Sequence, residues 1–253
     1  MAGCTPDAGA AATLAAKPGP SGMKLEDALG KSGMLNVLNG LRNGLSGKLG
    51  ARALAALLLA SAAASAYSAP KTVLVLGDSL SAEYGLARGA GWVALAEQKI
   101  KAQKIDATVV NASVSGETTS GGRSRLPALL QKYKPALVVI ELGANDGLRG
   151  LPVAAAESNL RAMADAAARA DAKVVLIGMR MPPNYGRDYA DKFYAMYGAL
   201  SKEIKAPLVP FMLDGVADQP QMFQPDRLHP LATAHPTILA NIWPVLQKSI
   251  KAK

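Results

Sequence analysis

The segment Val73-Leu74-Val75-Leu76-Gly77-Asp78-Ser79-Leu80-Ser81 decides how this chain is read. Its apolar run, with two β-branched valines, predicts a strand buried on both faces, as in a parallel sheet covered by helices. The glycine ends the strand. The serine two residues on is then delivered to the carboxyl end of the sheet, where ligands of open α/β sheets bind. A serine there is a candidate nucleophile, and it needs a base that is neutral near pH 7 and a carboxylate to orient that base.

The chain has two histidines, His229 and His235. Asp226 precedes His229 by three residues in Asp226-Arg227-Leu228-His229-Pro230. Pro230 keeps His229 out of helical conformation, so this is a loop that can aim both side chains at one point. His235 has no carboxylate at that spacing and reads as a partly buried or surface histidine near a helix start.

Between these segments, strand-like and helix-like stretches alternate. Strands are predicted at Val73–Leu76, Thr108–Val110, Ala136–Leu142, Lys173–Gly178 and Leu208–Phe211. Apolar spacing predicts helices at Trp92–Lys104, through Leu126, Leu129 and Leu130, at Val153–Ala170, at Asp188–Lys205 and at Thr237–Ile250. Residues 112–122 and the turn-rich stretch Gly143–Gly150 read as loops. The alternation predicts an α/β fold, a three-layer α/β/α sandwich around a mainly parallel sheet of about five strands.

The amino-terminal part differs. Residues 1–33 are rich in Ala, Gly, Pro and Ser and read as disordered or as a misassigned start, with Met23 and Met34 as alternative starts. From Met34, a basic stretch (Arg42, Lys48, Arg52) leads into the apolar run Ala53–Ala64 and then to Ala64-Ser65-Ala66. That order reads as a secretory signal peptide over 34–66, followed by a mature domain at 67–253. The apolar core is too short for a permanent membrane span. The expected location is therefore outside the cytoplasm.

The one cysteine, Cys4, lies ahead of the signal, so the mature chain offers neither a disulfide nor a thiol nucleophile. Residues 1–69 hold six of the 28 Lys/Arg and three of the 19 Asp/Glu, leaving 22 against 16, a net charge of +6. The basic residues are scattered and aromatics make up 5%, a pattern that speaks against nucleic-acid binding. Two histidines without cysteine make a poor zinc site, and no metal or cofactor is expected.

Acyl transfer also needs donors where a carbonyl oxygen becomes negative. The backbone N–H of Ser79, placed at a helix start, is one source. Gly116, in Ser115-Gly116-Glu117-Thr118, is a second, because its backbone can be approached closely. The side-chain amide of Asn145, in Gly143-Ala144-Asn145-Asp146, is a third.

With these four blocks in order, the chain resembles the SGNH (GDSL) hydrolase superfamily over about residues 71–250. The blocks are Gly77-Asp78-Ser79-Leu80, Gly116, Gly143-Ala144-Asn145-Asp146 and Asp226 to Pro230. Residues 111–118, 141–150 and 183–186 are similar to the branch of bacterial periplasmic acyl-CoA thioesterases, lysophospholipases and arylesterases. The resemblance implies Ser79 as nucleophile, His229 as general base and then acid, and Asp226 as orienting carboxylate. It implies an oxyanion hole of Ser79 N–H, Gly116 N–H and Asn145, with Asp78 as a structural hydrogen-bonding residue.

The expected substrates are small acyl esters and thioesters, with Leu148, Arg149, Pro183 and Tyr185 near the acyl chain. A cell-envelope carbohydrate O-acetyl esterase is the alternative. It would need a polar groove, whereas Met179, Met181, Pro182, Pro183 and Tyr185 favour an apolar one. Two departures from the family pattern, Glu83 for a small residue and Arg227 for a common glycine, flank the expected site. The oligomeric state is not legible.

Overall fold

The computed structural model describes residues 70–252. The expected extension at 1–33 and signal segment at 34–66 lie outside the described residues. Five parallel strands form the sheet: β1 (Lys71–Gly77), β2 (Ala107–Asn111), β3 (Leu137–Glu141), β4 (Lys173–Ile177) and β5 (Leu208–Val209). Their spatial order is β2-β1-β3-β4-β5. The order reverses between β1 and β3, and this is where an open parallel sheet leaves a crevice at its carboxyl end.

The helices are α1 (Trp92–Ala102), α2 (Thr119–Tyr133), α3 (Ala144–Leu148), α4 (Val153–Arg169), α5 (Arg187–Glu203) and α6 (His235–Lys251). Helix α1 packs against α6, and α2 packs against α4, which packs against α5. Two helical layers enclose the sheet, as the alternation predicts.

Burial explains the pattern of each element. Val73, Leu74, Val75 and Leu76 of β1 are all buried, as are all five residues of β3. In α4 the buried residues are Ala156, Leu160, Met163, Ala164 and Ala167, one stripe at helical spacing. Helix α6 does the same with Ile238, Leu239, Ile242, Leu246 and Ile250. It begins at His235, two residues before the expected start, because Pro236 fits the unbonded first turn of a helix. His235 is buried, and its Nδ1 accepts the N–H of Trp92, which opens α1. Burial pushes its pKa below the ordinary histidine value.

Three expectations need correction. Residues 119–122, read as part of a loop, already belong to α2, where the Thr118 side chain caps the helix by accepting the Gly121 N–H. The stretch Gly143–Gly150 is not all loop, since residues 144–148 form α3. Its Gly, Asn and Asp are turn formers by local chemistry, but tertiary bonds hold the helix. Asp146 is buried and accepts both the N–H and the hydroxyl of Thr119. Gly143 turns the chain at φ 120°, and a side chain there would collide with Tyr197 Oη, which donates to Leu142 O. Ser79, in turn, does not open a helix: residues 79–85 are wound in consecutive turns. Within them Glu83 itself sits in left-handed conformation at φ 59°, and its carboxylate accepts the N–H groups of Gly89 and Gly91 farther on.

Candidate active site

The crevice between β1 and β3 gathers residues that lie far apart in sequence. Ser79 Oγ lies 2.9 Å from His229 Nε2, across 150 positions of chain. His229 Nδ1 lies 2.7 Å from Asp226 Oδ2. A carboxylate only accepts, so Nδ1 carries the hydrogen and Nε2 is left to accept from the serine hydroxyl. The local turn holds this tautomer in place, because Asp226 Oδ1 also accepts the N–H groups of Leu228 and His229. Desolvation raises the pKa of Asp226, but the bonds from His229 and Leu228 outweigh it and bring the pKa down to about 2. The carboxylate is therefore charged at any ordinary pH. Tyr84, unremarked in the sequence, lies with its ring 4.4 Å from the His229 ring.

The expected oxyanion donors come from three loops. Among the described residues, the N–H groups of Ser79 and Gly116 have no protein acceptor. Gly116 sits at φ 77°, a conformation that favours glycine. Asn145 is engaged on both amide hydrogens: Nδ2 donates to Asp78 Oδ2 at 3.1 Å and to Glu117 O at 3.0 Å. Arg149 donates to Gly116 O at 3.0 Å, so the Gly116–Glu117 backbone is pinned by α3 and the residue after it.

Beneath Ser79 lies a buried acid pair: Asp78, expected as a structural hydrogen-bonding residue, and Glu141, which sequence reading did not assign. Asp78 and Glu141 are 1% and 2% exposed. Glu141 Oε2 accepts the N–H of Asp78 and the hydroxyl of Ser81, whose Oγ in turn accepts Trp92 Nε1–H. Burial raises the Asp78 pKa to about 6, against the lowering effect of the Leu80 and Asn145 bonds. Burial, reinforced by the Asp78 charge, pushes Glu141 well above the usual range. Burial thus favours the uncharged form of both Asp78 and Glu141. The available signal for Glu141 was its position, a single charge within the apolar run of β3.

A cavity of about 510 Å³ opens beside Ser79 and His229, a size ordinary for a small-molecule site. Its walls are mostly apolar, with Leu148, Met179, Met181, Phe211, Leu213 and Phe223 among them. Of the residues expected near an acyl chain, Leu148 lines it. Arg149 and Tyr185 are outside its lining: Arg149 donates to Gly116 O, and Tyr185 donates to Leu148 O. Pro183 opens a short 3₁₀ turn, and its neighbour Pro182 lines the cavity. Arg227 lines the cavity at φ 59°, a left-handed position adopted without glycine. A larger groove of about 1120 Å³ lies at the amino-terminal ends of β4 and β5, remote from Ser79 and His229.

The chain is similar to known proteins in sequence and in fold. The sequence profile of the GDSL-like lipase/acylhydrolase family matches residues 75–235. The chain is 50% identical over 180 residues to Esterase TesA of Pseudomonas aeruginosa, covering 71% of this chain and 90% of that protein. It is 44% identical over 171 residues to thioesterase 1/protease 1/lysophospholipase L1 of Escherichia coli, covering 68% and 81%. Among solved structures, the crystal structure of TesA matches with a TM-score of 0.69 at 50% identity, covering 71% of this chain and 99% of that one. The psychrotrophic esterase EstA from a Pseudoalteromonas species, in a structure inhibited by monoethylphosphonate, also matches at TM-score 0.69. Its identity is 41%, covering 72% and 100%.

Proposed function

Because the chain belongs to the GDSL-like lipase/acylhydrolase family and is a carboxylic ester hydrolase, we propose that it works through an acyl-enzyme on Ser79. The observation that carries this reading is the unbroken line from Ser79 Oγ through His229 to Asp226, at 2.9 and 2.7 Å. His229 Nε2 takes the serine proton as Oγ attacks the acyl carbon, and the imidazolium that forms faces a carboxylate that stays charged. The oxyanion meets the unengaged N–H groups of Ser79 and Gly116, and shares the Asn145 hydrogen otherwise given to Asp78. His229 then protonates the leaving alcohol or thiol. Water, deprotonated by His229, attacks the acyl carbon and frees Ser79.

The substrates proposed are acyl esters and thioesters of the arylesterase, thioesterase and lysophospholipase kind. Names of similar proteins support this class. The apolar cavity supports a hydrocarbon acyl group over an acetylated sugar, which needs hydrogen-bonding walls. Export to the periplasm or beyond is proposed from the signal-like segment alone.

The test is a turnover series on nitrophenyl esters, an acyl-CoA, a lysophospholipid and an acetylated sugar, with Ser79→Ala in parallel. Wild-type hydrolysis that falls by at least about 10³-fold in Ser79→Ala, and is blocked by a monoethylphosphonate ester, is expected. Equal turnover by Ser79→Ala would refute the serine mechanism. A preference for the acetylated sugar would refute the acyl assignment.

A further inference from the structure

Among the described residues, five large apolar side chains are well exposed: Tyr84 50%, Val114 47%, Leu151 39%, Leu228 46% and Leu231 36%. Single exposed apolar residues are ordinary on any protein surface. What stands out here is their placement. Every one lies on a loop at the carboxyl end of the sheet, following β1, β2, β3 or β5, and none lies on the outer face of a helix.

These loops are stitched together. Gln224 donates to Tyr84 O, Gln224 N–H to His229 O, and Leu231 N–H to Met222 O. Tyr84, Leu228 and Leu231 therefore belong to one braced wall around His229. Across the mouth, Arg149 joins the loop of Val114 to that of Leu151 through Gly116 O.

The same face carries Arg149, Arg180 and Arg227, none of which pairs with a carboxylate among the described residues. Arg180 leans on the rings of Tyr194 and Phe211, and Arg227 makes no side-chain hydrogen bond among the described residues. The nearby acids are mostly committed: Asp226 to His229 and Glu117 to Arg125, while Asp218 lines the cavity. An apolar rim set with unpaired guanidinium groups suits a surface that is hydrocarbon beneath and anionic on top. A second copy of the chain would set arginine against arginine and seal the opening to Ser79. A lipid layer presents its acyl chains to that opening.

We propose that this rim docks on an anionic lipid surface, so that the enzyme draws acyl substrate from an aggregate. The proposal rests on the esterase reading of Ser79, and the two fail separately. Residues 67–253 span the whole matched fold, 99% of the TesA chain, so they can be studied without the leader. The Ser79→Ala form is sedimented with vesicles of phosphatidylglycerol and phosphatidylcholine, and with vesicles of phosphatidylcholine alone.

Partitioning at least about tenfold stronger onto the anionic vesicles is expected, weakening steeply with salt. Val114→Ser/Leu151→Ser/Leu231→Ser, all outside the cavity wall, should weaken it by about tenfold or more. In an active Ser79 background, this variant should hydrolyse a water-soluble nitrophenyl ester within about twofold of wild type. Val114→Ser alone, at the most exposed of the three positions, should weaken binding by about threefold with the fold intact. No vesicle binding, equal binding to both vesicles, or full binding by the triple variant would each overturn the docking proposal while soluble turnover persists. Absence of soluble turnover by the wild type would instead overturn the esterase mechanism.

Discussion

Replacing Asn145 by alanine perturbs the residue at which support of the loops and the proposed chemistry coincide. Its amide gives one hydrogen to Asp78 Oδ2 and the other to Glu117 O. Truncation strands a carboxylate oxygen on a side chain that is 1% exposed, and frees a loop carbonyl that is half-buried. A buried polar atom left unsatisfied costs about 1–3 kcal/mol and the half-buried carbonyl costs less, so a stability loss of about 2–4 kcal/mol follows for the two together. Removing one oxyanion donor separately lowers kcat by about 10²–10³, or about 2.7–4 kcal/mol of transition-state stabilisation. KM should change little, because the oxyanion exists only after attack. The Asp78 pKa, already raised to about 6, should climb further, since the Asn145 bond is one of the interactions that lower it. Steady-state kinetics on a nitrophenyl ester and urea unfolding at the same pH read the two losses independently. Asn145→Ala with kcat within about threefold of wild type would refute the oxyanion role. Stability within about 0.5 kcal/mol of wild type would refute the structural one.

Further outcomes are expected elsewhere in the site. Asp226→Asn should lower kcat by about 10³–10⁴ through the wrong His229 tautomer, and retained activity would break the triad. Asp226 has a depressed pKa, so its contribution to stability is present above 3.8 and lost as pH falls through about 2; acid unfolding of wild type against Asp226→Asn checks this. Asp78 runs the other way: its raised pKa gives a contribution present below 3.8 and lost as pH rises through about 6. Carbon-detected NMR should find its carboxyl midpoint near 6, and a midpoint near 3.8 would remove the buried pair. Met181→Trp should fill the cavity and lower kcat/KM for a long acyl ester by about tenfold or more while sparing an acetyl ester. An unchanged chain-length profile would place the acyl group elsewhere.

Much of this was legible in the residues because the signals were local. Four apolar positions ending in glycine specify β1, and the stripe of Ala156, Leu160, Met163 and Ala167 specifies α4, without reference to anything distant. The Asp226-to-His229 turn is likewise closed by bonds within three residues. Helix α3 was not legible, because its stability rests on Asp146 bonding Thr119 and on Gly143 fitting beneath Tyr197. Arg149 and Tyr185 could be placed near an acyl site by motif, but not assigned to bracing Gly116 and Leu148.

The sequence by itself determined the class of protein: an α/β layer order, a serine at a strand end, and a histidine with its acid 150 positions away. Periodicity and turn chemistry act over a few residues, and the chain writes them directly. Only the tertiary structure decided which groups meet. It set the reversal between β1 and β3 that makes a crevice, buried Glu141 beneath Asp78, and committed both hydrogens of Asn145. It also turned five apolar side chains to solvent around one opening. Distance and burial arise from the packing of segments far apart in the chain, and they fix a carboxyl's charge and a donor's freedom.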